Sequence, residues 1–290
     1  MRLNKLPVRT FNHIGMNEVN LDYDPGTYED IDFSENGILN LSGHKDAKVN
    51  IDVKENESLS VIMNYEAVGT LNVNTDINIA PGGELKLVQI DASEEGNRLI
   101  NEVTANVGGE GRLNIIQILP GRGDVYSGAT AELTGDRSEC NMDVAYLTRK
   151  TQITDMNYVA NHRGKETVSD ILANGVLKDE GKKNFRATID FKTGCAGSKG
   201  EENEHALLLS EDVINGSIPL ILCTEEDVEG AHGCQIGSLS DDVLLYFNQR
   251  GIDKAGAEKM ISYGNFARLI REIDDDVLRE KTDKLVSEVL

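Results

Sequence analysis

From about Gly37 to about Gly237 apolar and polar residues alternate with a period of two, in short runs. In "KVNIDVKEN" Val49, Ile51 and Val53 fall on one side, and Asn50 and Asp52 on the other. "TLNVNTDINIAPG" repeats the arrangement with Leu71, Val73, Ile77 and Ile79. The series continues through "GELKLVQIDA", "GRLNIIQILPG", "CNMDVAYLTR", "TDMNYVANH" and "NFRATIDFK". Side chains of a strand point alternately to its two faces, so each run predicts a half-buried strand. Glycine-rich stretches such as "PGG", "GGEG" and "GRG" supply turns between several of them. No amphipathic helical pattern interrupts the region, so about a dozen strands follow one another with only turns between. A sandwich, a barrel and a β-helix all satisfy that description. Short strands, asparagine near the bends and few aromatics for a wide core favour the β-helix. The spacing is irregular, and no fixed solenoid period is readable.

From Ser238 the period changes to that of a helix. In "SDDVLLYFNQRG" Ser240 is the expected N-cap, with Asp241 and Asp242 in the first turn, where the helix dipole favours them. Leu244, Leu245 and Phe247 form the apolar side, and Gly251 stands where a helix would stop. A second pattern runs through Ala257, Met260 and Ile261, with Gly264 expected to break or kink it before Phe266, Leu269 and Ile270. Val277, Leu278, Leu285 and Val286 mark a third. The expected organisation is a lead-in over 1–36, a strand domain over 37–237 and a small helical domain over 238–290. The helical part is too short to bury a core alone and must pack on the strands, on a partner, or on both.

Composition sharpens this picture. Trp is absent and Phe plus Tyr make only 5% of 290 residues, so the core is expected to be Val, Ile, Leu and Ala. Fifty acidic against 29 basic residues give a net charge of −21. Such a field repels phosphate backbones and anionic lipid, so neither nucleic acid nor membrane is an expected partner. The basic start "MRLNKLPVRTFNHIGMNEVN" has no apolar segment after it, and no run approaches the roughly 18 apolar residues of a membrane span. The expected location is the cytoplasm. Cys140, Cys195, Cys223 and Cys234 are then not a disulfide framework but buried small residues, reactive thiols or metal ligands.

Two stretches carry candidate chemistry. "GCAGSKG" (Gly194 to Gly200) lacks the spacing of a nucleotide-binding loop and reads as a turn that holds Cys195. "CTEEDVEGAHGCQIG" (Cys223 to Gly237) gathers Cys223, Glu229, His232 and Cys234. Thiolate is a soft donor suited to iron–sulfur clusters, zinc or copper(I). A turn between two strands is expected to bring Cys223 near His232. No C-x-x-C pair is present, and free cysteines are commonly just buried. Cys140, in the middle of the strand region, is expected in the core. No Ser-His-Asp set is readable. Acids are so frequent that they do not discriminate a polysaccharide-cleaving β-helix either.

Longer blocks carry a resemblance. "NHRGKETVSDILANGVLKDEGKKNFRATIDF" (Asn161 to Phe191) and "ALLLSEDVINGSIPLILCTEEDVEGAHGCQIGSLSDDVLLYFNQRGI" (Ala206 to Ile252) resemble the SufB/SufD family of iron–sulfur cluster assembly scaffolds, over about residues 95–270. The second block has an "LLLS"-like strand, a short apolar-proline strand, an acidic turn, an "HG" pair and an "RGI" helix. The resemblance implies a right-handed parallel β-helix followed by a C-terminal helical domain. It implies docking of the helices on a SufC-like ABC ATPase, pairing of two chains through their last strands as a homodimer, and a nascent iron–sulfur cluster near that interface. The chain is then a non-enzymatic scaffold. The alternative is a metal-free SufD-like subunit that only binds and regulates the ATPase; a carbohydrate-active enzyme is a distant third. The sequence departs from the better-known members in starting its strands near residue 37. It also has Val213 where a SufB-type chain carries its cluster cysteine. His232 matches the family histidine, and Cys195 and Cys223 become the expected thiolate donors, with Glu229 beside them. Cys234 faces the same way as His232 but is expected to serve packing. The expected ATPase contacts are Leu245, Phe247, Met260 and Ile261.

Overall fold

The structure, a computed structural model, describes residues 1–9 and 12–290. Its body is a parallel β-solenoid of about seven turns. Strands β4 (Gly37–Val53) and β5 (Ser58–Ile79) each run round a corner and serve both walls. Thereafter each turn has two separate strands. One wall is the first half of β5 followed by β6 (Glu84–Asp91), β8 (Arg112–Leu119), β10 (Glu139–Thr148), β12 (Val168–Leu177), β14 (Ser198–Leu208) and β16 (Val228–Gly237). The other is the second half of β5 followed by β7 (Arg98–Val107), β9 (Asp124–Leu133), β11 (Ile153–His162), β13 (Lys182–Phe191) and β15 (Ile214–Cys223).

The period-two alternation is what closes this tube. Inward positions of successive coils stack in register, so Val49, Val73, Leu87, Ile115, Val144 and Ala173 join one core reaching from Leu41 to Ala206. Aliphatic ladders of this kind need no aromatic bulk, which fits the composition. The corners repeat as well. Asn56, Gly82, Glu110, Arg137, Glu166 and Gly197 all have a left-handed backbone, with φ from +55° to +78°. Each donates its N–H to a carbonyl of the next coil. The sequences of these corners differ, so the repeat is conformational and escapes a search for recurring residues. Polar groups also stack inside: Gln89, Asn101, Gln117 and Ser127 hydrogen-bond one another and Tyr65 and Tyr158 along the tube. Every member has a partner, so the column costs little and pins the register of neighbouring coils.

Three features differ from the sequence reading. Strands begin before residue 37: β1 (Arg2–Leu3) and β2 (Val19–Asn20) form an antiparallel ribbon, and β3 (Glu29–Asp32) pairs with β4. This arm is clamped to the solenoid. The buried Arg186 guanidinium grips Asp155 and donates to the carbonyl of Met16, and Asn4 donates to Asp155. Next, β4 and β5, at 17 and 22 residues, are far from short, because they continue through a corner. Last, Gly264 breaks nothing: α2 (Lys254–Ile270) is continuous, since one exposed glycine costs only about 1 kcal/mol against a well-packed face.

Helix α1 (Asp241–Asn248) starts at the Ser240 cap as expected, and α3 (Asp276–Val289) completes the C-terminal part. Helices α2 and α3 fold back along the outside of the first wall. Phe266, Leu269, Ile270, Leu278 and Val286 bury against Ile62, Val88, Ile90, Ile116, Ile118 and Leu147. Arg268–Asp143 and Lys86–Asp274 pin the edges. No helix among the described residues is long and apolar enough to cross a membrane.

Candidate functional site at the open end of the solenoid

The last coil is unlike the others. Strands β15 and β16 stand at the two ends of the sheet order, each with one neighbour and a free outer edge. No α-helix buries them: β16 is exposed along nearly its whole length. The donor-bearing segment of the sequence is therefore the rim of the tube.

Register decides which way each side chain points. Glu202 of β14 faces His232 of β16, and Glu204 faces Cys234. Glu202 and Glu204 are buried inside the tube, so His232 and Cys234 are stacked on the inward side of the rim. Glu229 is three residues before His232 and so on the opposite face. It pairs there with Lys199, 2.9 Å away on the outer surface. Cys223 ends β15 in register with Phe191, and its thiol donates to the Glu225 carbonyl at 3.0 Å. Cys195 lies fully buried in the turn below, packed with Ile189 and Phe191. Burial raises its thiol, and the Ser198 hydroxyl opposes that. Cys195 and Cys223 are electrostatic neighbours, whereas Glu229 is turned away from His232. Among the described residues no three His, Cys, Asp or Glu side chains already converge as metal ligands. Cys140 is a core residue, as expected, with its thiol pushed by burial up to about 12.

What sequence reasoning missed is a charged cluster just inside the rim. Glu204 accepts from the Tyr146 hydroxyl at 2.9 Å and from the Lys183 ammonium. Lys183 also donates to Ser217 of β15 at 2.9 Å. Both charged side chains are essentially inaccessible. The Cys234 thiol sits 3.7 Å from the other Glu204 oxygen. Desolvation, then the Glu204 charge, raise that thiol, and Ser217 and Lys183 oppose them. Glu202 is also buried, and neither of its carboxylate oxygens has a hydrogen bond of good geometry. Burial pushes its carboxyl up to about 8, against a weaker pull from the Leu220 amide. A small cavity lies between Phe185, Pro219, Glu202, Glu204 and Cys234. Gly175 makes the cluster possible. It stacks on Tyr146 in register, and the phenol ring occupies the space a Cβ would need. Tyr146 thereby reaches past one coil to Glu204 on the next. Cys234 is accordingly a rim thiol over a carboxylate.

The comparisons with known proteins fit this architecture. A family profile described as the SufBD core domain of SUF-system FeS cluster assembly matches residues 41–265. The chain belongs to the SufBD family. Similar proteins include the iron–sulfur cluster assembly protein SufD of Bacillus subtilis, 24% identical over 229 residues, covering 77% of this chain and 52% of the relative. Escherichia coli SufD is 22% identical over 152 residues, covering 52% and 36%. An iron–sulfur cluster assembly SufBD family protein of Mycobacterium tuberculosis is 20% identical over 239 residues, covering 80% and 60%. The chain thus spans about half, or less, of the length of the first two relatives. The SufBD match begins within β4, ends within α2 and includes the solenoid from β5 onward, the rim and α1.

Helix α1 follows the rim and is exposed. None of its residues is buried. Leu245 and Tyr246 are 55% and 53% exposed, and Met260 of α2 is 54% exposed. Phe247 and Ile261 are half-buried. Aromatic contacts of Tyr246 with Phe247 and Arg250 hold the apolar face together.

Proposed function

We propose that this chain is a scaffold of Suf-type iron–sulfur cluster assembly that works as a homodimer closed at the open rim. The observation that carries the reading is the rim itself: two unpaired strand edges bearing inward His232 and Cys234 above two buried carboxylates, of which Glu202 is under-satisfied. Free edges of this length are normally covered or paired. Pairing two rims about a two-fold axis satisfies both and doubles the donor set. One chain supplies too few thiols for a cluster that typically takes four ligands. The donors assigned to the nascent cluster are His232 and Cys234, with Glu202 and Glu204 beneath them and Cys223 and Cys195 at the adjoining corner. Glu229 serves at the outer margin of the interface. Mixed thiolate, imidazole and carboxylate ligation holds a cluster less firmly than four thiolates, as suits a scaffold that must release its cargo.

The second component of the proposal is an ABC-type ATPase docked on α1 and the start of α2. Leu245, Phe247, Met260 and Ile261 form an apolar ridge of the helix-in-groove kind. Asp241 and Asp242 at the head of α1 add charge complementary to a basic groove. Anaerobic reconstitution with ferrous iron and sulfide, followed by visible absorption and light scattering, tests the proposal. A chain that stays monomeric with the ATPase present, or a dimer that takes up no iron, sinks the scaffold reading. The latter outcome favours a metal-free SufD-like subunit. That second reading draws support from the lack, among the described residues, of three ready-converged ligands.

A further inference from the structure

We infer that Lys183 is a displaceable counter-ion of the rim: it holds Glu204 while the site is empty and surrenders that carboxylate to an incoming divalent cation. The inference rests on the reading of the rim as the cation-receiving end of the scaffold.

A lysine fully enclosed in a solenoid has no general structural purpose. The coils on either side place the neutral Thr154 and Asn215 at the same position, and the coils before them Val125 and Leu99, none of which desolvates a charge. Lys183 is instead aimed at one carboxylate, with Tyr146 bonded to the same oxygen. The second Glu204 oxygen is left for Cys234. Glu204 is thereby held between an ammonium and a thiol, and a soft cation entering from the rim meets the thiol side first. The cation and the ammonium then compete for one carboxylate.

Two features prepare Lys183 to yield. Its ammonium already donates to Ser217 at 2.9 Å, so one hydrogen bond survives departure from Glu204. The rings of Tyr146 and Phe185 lie 5.9 and 5.7 Å from Nζ and favour a cation between them. Glu202 supplies the independent sign that the cluster is short of a positive charge. It is a buried carboxyl with neither oxygen in a hydrogen bond of good geometry, lining the same small cavity as Glu204 and Cys234. Divalent charge at that point would serve both carboxylates, where the single charge of Lys183 serves one. The occupant class is a thiophilic divalent cation, ferrous iron in the scaffold's work.

Anaerobic titration of the full chain with cobalt(II), without sulfide or ATPase, tests this. Thiolate–cobalt charge-transfer absorption reports Cys234, and Cys234→Ser identifies it. The expected result is a band in the wild type, absent in Cys234→Ser, with Lys183→Met binding cobalt at least tenfold more tightly than the wild type. Equal or weaker binding by Lys183→Met, with the band retained, overturns the inference and leaves the rim reading intact. No band in the wild type removes the rim reading and the inference with it. Should Lys183→Met fail to fold, the cobalt-loaded wild-type crystal structure decides. Lys183 bonded to Ser217 and parted from Glu204 supports displacement, and an unbroken Lys183–Glu204 pair refutes it.

Discussion

Gly175→Ala is a one-carbon change that tests how the rim cluster is built. An added Cβ would lie 1.9, 2.1 and 2.3 Å from three Tyr146 ring carbons, all far inside contact distance. Tyr146 is fully buried and cannot escape to solvent. The ring has to rotate off its rotamer or push the coils apart, which in a packed core costs about 1–3 kcal/mol. Either movement withdraws the hydroxyl from Glu204, now 2.9 Å away, and losing a hydrogen bond to a charged group costs about 1.5–3 kcal/mol. The smaller entropy of an unfolded Ala chain returns about 0.4–1 kcal/mol. The net expectation is a loss of about 2–5 kcal/mol. For a chain of this size that is a fall in Tm on the order of 10 °C. Thermal unfolding followed by far-ultraviolet circular dichroism measures it. Gly175→Ala/Tyr146→Leu should recover the steric part only, because Glu204 still lacks its phenol donor. A Gly175→Ala protein within about 0.5 kcal/mol of wild type would refute the claim that Tyr146 crosses the tube over a glycine.

Arg186→Met leaves Asp155 buried without its main partner and should cost about 3–5 kcal/mol, with early tryptic cleavage in the N-terminal arm; an arm as resistant as wild type contradicts the clamp. His162 is buried between Thr167 and Ser169, and burial lowers its imidazole to about 4 from the usual 6.5. The unfolded chain therefore takes up a proton at about pH 6.5 that the folded chain refuses until about pH 4. Stability should fall over that interval by up to about 3 kcal/mol, and His162→Asn should flatten this part of the profile in urea titrations at stepped pH. Leu245→Asp should weaken ATPase binding roughly tenfold or more in calorimetry without altering Tm, since Leu245 is exposed; unchanged affinity removes α1 from the interface.

Period-two alternation made the solenoid strands legible, and Ser240 with its two following aspartates marked α1 correctly. The docking of α2 and α3 was also written in the chain, in the runs "LKLVQI" and "LNIIQIL". Val88 and Ile116 break strict alternation because their wall is buried on both sides. The N-terminal clamp was not legible: its key residue, Arg186, is one of 29 basic residues and only register shows it buried. The same holds for Lys183, Glu202 and Glu204. In a chain with 50 acids no carboxylate stands out until coil stacking turns two of them inward. Proximity in sequence also misled at one point. Glu229 and His232 look like one donor group, yet an odd spacing on a strand sends them to opposite faces. The even spacing of His232 and Cys234 was the more informative signal.

The most direct test of the rim as the cluster site is anaerobic reconstitution of the full chain with ferrous iron and sulfide, with iron and acid-labile sulfide counted on the isolated dimer. Wild type and Cys140→Ser are predicted to retain equal iron and sulfide, because Cys140 is sealed in the core. Cys234→Ser should lose most of both while remaining dimeric. Full occupancy in a Cys195→Ser/Cys223→Ser/Cys234→Ser protein would contradict the account.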